Sequence, residues 1–223
     1  AVTPEAWVTY AEQLAETGID GLELNFYSTP TSFTQSGAEA EQEQLAILGS
    51  VREKVDIPIS IKLSPYYSNV LDFINKADEI GVNGFVLFNR FFQPDSDIDK
   101  EANVIHHNLS SRGDSKLPLR FAGMLYGNIK GDVCSSSGIM SGGDVVKLIL
   151  AGASCVQVVS TLFKNKVAYL AAMVKELEGW MNEKGYAGID DFRGKLSAQN
   201  NPDPWVYKRA QYVRLLLKPD WLN

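Results

Sequence analysis

The stretch Asp132–Thr161, DVCSSSGIMSGGDVVKLILAGASCVQVVST, decides the fold class. It holds a short apolar strand (Asp132 to Ser135), a Ser/Gly turn, a helical segment (Gly143 to Ala151) and a second apolar strand (Cys155 to Val159). Two strands joined through a helix form a βαβ unit, whose strands lie parallel in one sheet. Outward from that unit the same alternation recurs. Toward the N-terminus, strands open near Gly21, Pro58 and Gly84, and Phe85 to Phe88 is the continuous apolar run of a buried parallel strand. Helices precede or follow them at Pro4–Thr17, Ala38–Lys54 and Asn69–Ile80, and Val70, Phe73, Ile74 and Ala77 fall on one helical face. Leu117 to Asn128 reads as a further helix, and Lys166 to Lys184 carries the clearest apolar stripe. The five strands recur about every 34 residues, the length of a repeated βα unit.

Composition narrows the class of protein. Of the 223 residues 45% are hydrophobic and 22% charged, which excludes a disordered or fibrous chain. One core of this size fits a single domain over residues 1–223, with residues 200–223 expected as an appended C-terminal helix that bears Lys208, Arg209, Arg214 and Lys218. A net charge of −6 argues against nucleic acid or anionic lipid as a partner, and no apolar run reaches the roughly 18 residues of a membrane span. Cys134 and Cys155 are too few for a disulfide framework and read as small core residues, so a reducing cytoplasm is expected. His106-His107 lies in the irregular excursion Asn89–Lys116 without acidic residues at ligand spacing, and no metal site is expected.

In parallel α/β folds the ligand lies at the carboxyl ends of the strands. Those ends are Asn25, Lys62, Asn89, Ser135-Ser136-Ser137-Gly138 and Ser160-Thr161, every one polar after an apolar strand. The last two sets offer hydroxyls and bare backbone N–H groups beside helix starts, which suits a phosphate, although such residues also serve as turns and caps. Lys62 would hold a cofactor carbonyl or developing negative charge, form a Schiff base, or simply reach solvent. Asn25 and Asn89 on neighbouring strands would complete a hydrogen-bonding floor for a heterocycle.

Several stretches together resemble the dihydroorotate dehydrogenase family, in its dihydroorotate dehydrogenase-like branch. They are Gly21-Leu22-Glu23-Leu24-Asn25, Ile61-Lys62-Leu63-Ser64-Pro65-Tyr66, Val86-Leu87-Phe88-Asn89-Arg90, Ser137-Gly138-Ile139 and Val158-Val159-Ser160-Thr161-Leu162. The resemblance implies a (β/α)8 barrel that binds FMN and oxidises dihydroorotate or a related dihydropyrimidine to orotate in pyrimidine biosynthesis. It implies that Asn25, Lys62 and Asn89 contact flavin or substrate, and that Ser136, Ser137, Gly138, Ser160 and Thr161 hold the FMN phosphate. A small-molecule substrate and a homodimer are the partners it implies. Phosphate-binding lyase or isomerase chemistry at Lys62, or a non-catalytic flavoprotein, stands as the alternative.

Two departures bear on the substrate. The family places a cysteine or serine base in the loop after the first strand here, in a motif that ends in Pro-Asn. This chain has Ser28-Thr29-Pro30-Thr31, so Ser28 and Thr29 are the candidates for the base. An arginine, Arg90, follows Asn89 where serine or threonine is usual. Five units out of eight also leave three to account for, about 100 residues. With the phosphate loops at the last two strands, the five correspond to strands 4 to 8 and the others are expected before Ala1.

Overall fold

A computed structural model describes residues 3–27, 32–105, 109–203 and 205–208. In chain order it begins with α1 (Pro4–Ala15), β1 (Leu22–Phe26), α2 (Gly37–Arg52), β2 (Ile59–Leu63), α3 (Val70–Ile80) and β3 (Gly84–Leu87). The hairpin β4 (Asp95–Asp97) and β5 (Ala102–Val104) follows, then α4 (Lys116–Leu125), β6 (Asp132–Ser136), α5 (Gly142–Ala151) and β7 (Cys155–Gln157). The chain continues through α6 (Ser160–Asn165), α7 (Tyr169–Lys184) and the short α8 (Trp205–Lys208).

Local chemistry sets the boundaries. Ser36 and Glu39 form a reciprocal capping box at α2, Asn69 accepts from Leu71 N and Asp72 N at α3, and Ser141 accepts from Asp144 N at α5. Gly81 ends α3 in the left-handed conformation, with φ +102°, where a side chain would be strained.

The sheet runs β1-β2-β3-β6-β7, with every pair parallel. Its apolar face carries Leu22, Leu24, Phe26, Ile59, Ile61, Leu63, Phe85 and Leu87, buried against Leu48 and Val51 of α2, Phe73 and Ile74 of α3 and Leu148 of α5. By strand alternation the opposite face presents Glu23, Asn25, Lys62, Cys134, Cys155 and Gln157. Across a flat sheet the outermost strands would stand about 19 Å apart at the usual strand spacing. Here Gln157 Nε2 of β7 donates to Glu23 Oε2 of β1 over 2.6 Å. The sheet is therefore curled around its polar face, with helices outside, which is the wall of a (β/α)8 barrel.

The sequence places most of these elements correctly, with local differences. β7 stops at Gln157 because Ser160–Asn165 turns at once into α6, where a strand through Val159 was expected. The last long helix starts at Tyr169, three residues later than its stripe, after Lys166 adopts φ +68°. The excursion after Asn89 contains a hairpin and a 3-10 turn at Arg112–Ser115. Cys155 is exposed, which corrects its reading as a core residue: it lies on the polar face of a terminal strand, whereas Cys134 on the inner β6 is buried. Of the C-terminal basic run, residues 209–223 lie outside the described residues. Within α8, Tyr207 is buried and its backbone carbonyl accepts from Arg120.

Candidate active site at the strand carboxyl ends

The parallel register sets Asn25 beside Lys62, and Ser136 beside Gln157. Asn89, just past β3, donates through Nδ2 to Asn25 Oδ1 over 2.6 Å and accepts from Arg90 N at 3.0 Å. The two asparagines are thus one hydrogen-bonded unit. Lys62 Nζ donates to Gln157 Oε1 at 3.0 Å, and Gln157 passes on to Glu23. This chain of polar contacts crosses the inner face and holds the ammonium in one place.

A cavity of about 200 Å³ opens above this floor, lined by Lys62, Asn89, Ser136, Ser137, Gly138, Gln157 and Ser160. A second of about 500 Å³ adjoins it and shares Asn89, Arg90, Ser136 and Ser137. Its far wall includes Tyr66, Asp114, Lys116 and Arg120. Together they fall in the size class of cofactor sites. The segment that leaves Asn89 is fastened to the strand ends: Tyr27 OH accepts from Phe92 N at 2.9 Å, and the Phe91 ring meets Tyr27 and Tyr66 at centroid distances of 4.7 and 5.1 Å.

One ion pair lines the larger cavity. Arg90 forms an ion pair with Asp114 of the 3-10 turn. Burial pushes the Asp114 carboxyl up, but the Ser111 N–H and the Arg90 guanidinium outweigh it and hold the group below its ordinary value. The arginine after Asn89 therefore brings its counter-ion with it.

At the other end, Ser137 and Gly138 take up left-handed conformations in succession, with φ +83° and +73°. A non-glycine residue there is an outlier of the kind found at ligand sites. Ser137 Oγ donates to Phe88 O at 3.3 Å, and Ser160 Oγ accepts from Ser110 N at 2.8 Å, which leaves the Ser160 hydroxyl proton free to donate. Lys62, the asparagine pair and the Ser160 hydroxyl form a donor set that fits a planar heterocycle with an anionic tail.

Nearly all strand-end residues expected at the site are brought together here. Ser135 and Thr161 are the exceptions: both are fully buried and line neither cavity, and Thr161 Oγ1 donates to Met140 O and accepts from Asn165 Nδ2. Ser28 and Thr29 lie outside the described residues, as does His106-His107. Three participants escaped the sequence reading. Gln157 was legible as the one polar residue in an apolar strand, on the same face as Cys155, and the Ser111-to-Asp114 spacing was legible as a capping box. Ser110 carried no local signal.

The comparisons agree with this architecture. The dihydroorotate dehydrogenase family model matches residues 3–181. The chain is 28% identical over 197 residues to a putative dihydroorotate dehydrogenase A (fumarate) of Aeropyrum pernix, covering 86% of this chain and 63% of that protein. It is 26% identical over 200 residues to the catalytic subunit of dihydroorotate dehydrogenase B (NAD(+)) of Methanothermobacter thermautotrophicus, covering 86% and 65%. The chain thus spans less than two thirds of the length of these relatives. A crystal structure of DHODH in complex with ferulenol from Eimeria tenella superimposes with a TM-score of 0.66 at 17% identity, over 87% of this chain and 58% of that one, and shares the fold. With the family model matched from the first helix into α7, and with a curled parallel sheet whose polar ends converge on one cavity, the chain belongs to the dihydroorotate dehydrogenase family.

Proposed function

We propose that the protein is an FMN-dependent oxidoreductase that oxidises dihydroorotate, or a closely related dihydropyrimidine, to orotate in pyrimidine biosynthesis. The observation that carries this reading is the convergence of Lys62, the Asn25–Asn89 pair, Ser136-Ser137-Gly138 and Ser160 on one connected cavity in a chain of this family. Bound FMN would supply the two-electron acceptor; the protein supplies binding, orientation and electrostatics. In this reading the hydroxyls of Ser136 and Ser160 and the backbone of Ser137 and Gly138 hold the phosphate. Lys62, fixed by Gln157, donates to the ring system, and Asn25 with Asn89 orients the substrate amides. The proton leaving the substrate carbon goes to a hydroxyl base, Ser28 or Thr29.

The same reading includes a cytoplasmic homodimer with a small-molecule substrate. The two free thiols suit a reducing compartment, and the exposed aromatic rings of Phe33 and Phe92 suit a contact between copies. No helix among the described residues is long and apolar enough to cross a membrane. The decisive experiment is a visible spectrum of the full-length protein. It should show flavin absorption, and dihydroorotate added without oxygen should bleach it. A protein that takes up no FMN overturns the cofactor assignment. One that binds FMN but is reduced by no dihydropyrimidine overturns the substrate assignment.

A further inference from the structure

The larger cavity holds charges that the proposed flavin contacts do not use. Its walls come from the ends of the inner strands β2, β3 and β6 and from α4 with the turn before it, and neither outermost strand contributes. Among the described residues, three cations line it, Arg90, Lys116 and Arg120, against one carboxylate, Asp114, in a chain whose net charge is −6. The Asp114 charge is already answered, by the Arg90 guanidinium and by Ser111 N. No carboxylate among the described residues pairs with Lys116 or Arg120.

These two cations stand where the helix itself disfavours them. Lys116 opens α4 and Arg120 follows at i+4, so both lie on one helix face, where like charges repel. The first turn of a helix is also unfavourable for a cation, and α4 has no acidic residue there to offset it. Arg120 donates through one guanidinium nitrogen to the Tyr207 carbonyl, which fixes the direction of its fork. A carboxylate would neutralise one of the two cations, whereas a phosphate monoester, with a charge of roughly −1.5 to −2 near neutral pH, would neutralise both. Arginine and lysine are both established partners of phosphate. A volume of about 500 Å³ exceeds the need of a lone ion, and Tyr66, Phe88, Phe91 and Leu117 give the cavity an apolar wall for an organic body.

We propose that Lys116 and Arg120 form a subsite for the phosphate of an organic phosphate monoester, carried by the substrate as a substituent of its dihydropyrimidine ring. The two cavities share Asn89, Arg90, Ser136 and Ser137, so a ring at the Asn25–Asn89 pair and a phosphate at α4 occupy one connected space. The ring placement rests on the flavin reading; the phosphate placement rests on the α4 cations.

The test is isothermal titration calorimetry of the full-length protein loaded with FMN, using orotidine 5′-monophosphate, orotidine and inorganic phosphate as probes. The monophosphate should bind about tenfold tighter than orotidine, the equivalent of one charge-assisted hydrogen bond. Lys116→Glu should abolish that difference and Lys116→Arg should retain it; Lys116 is exposed, so neither change disturbs the core. Equal affinity for the monophosphate and orotidine, or no binding of the monophosphate, overturns the subsite. Inorganic phosphate that binds as tightly as the monophosphate overturns its assignment to the substrate. Loss of FMN from Lys116→Glu would give the cations to the cofactor phosphate and overturns the proposal as well. In a protein that takes up no FMN, a preserved preference for the monophosphate supports the subsite and overturns the flavin reading instead.

Discussion

Gln157 stands at the junction of the inner-face contacts: its carbonyl oxygen accepts from Lys62 and its amide donates to Glu23. Replacing it by leucine removes the acceptor that orients the ammonium. Under the flavin reading, Gln157→Leu should weaken FMN binding about tenfold, the equivalent of one charge-assisted hydrogen bond, in a fluorescence-quenching titration. Unchanged affinity would show that Lys62 needs no such support. Gly138 is constrained differently. At φ +73° a Cβ would sit 2.2 Å from Ser115 N and 2.8 Å from Asp114 C and Ser111 O, all backbone atoms that cannot rotate away. Gly138→Ala should therefore destabilise the fold by about 2 kcal/mol or more, read from the denaturation midpoint. Lys62, Asn89, Gly138 and Ser160 were legible because a polar residue that ends an apolar strand lies at the carboxyl edge whatever surrounds it. The role of Gln157 was not, because it depends on two partners 95 and 134 residues away.

Among the elements, α5 supplies the clearest pH dependence. Asp144 is buried in its first turn and accepts from Met140 N at 3.1 Å, Ser141 Oγ at 3.0 Å and Lys147 Nζ at 3.1 Å. Burial pushes its carboxyl up, but these donors outweigh burial and hold it below the ordinary 3.8. A carboxyl lowered by folding stabilises in full above the unfolded value, and that contribution is lost as the pH falls through the folded value. Asp144→Ala should then cost about 2 kcal/mol near neutral pH, and the gap to wild type should narrow as the pH is taken below the ordinary carboxylate value of 3.8 in urea titrations. A gap independent of pH would mean that the carboxylate charge contributes nothing. The helix itself was legible from its capping serine and apolar stripe. The early end of β7 was not, since Val158 and Val159 have strand propensity and it is the turn into α6 that takes them out of the sheet.

For the molecule as a whole, the consequence of the fold lies at the two outermost strands. Among the described residues β1 and β7 each pair on one side only. Unpaired strand edges are templates for association, and barrels normally remove them by closure. The 223-residue chain should therefore self-associate in size-exclusion chromatography; a monodisperse monomer would refute this. The alternation of apolar strands with amphipathic helices, and the polar residue closing each strand, are local properties written along the chain, so the parallel α/β class and most of the site followed from sequence. Alternation alone does not separate an open sheet covered on both faces from a barrel covered on one. That choice rests on curvature, a sum of small twists between neighbouring strands that no single residue encodes. Only the tertiary structure, by bringing Gln157 against Glu23 and leaving the polar face free of helices among the described residues, made the sheet a barrel wall.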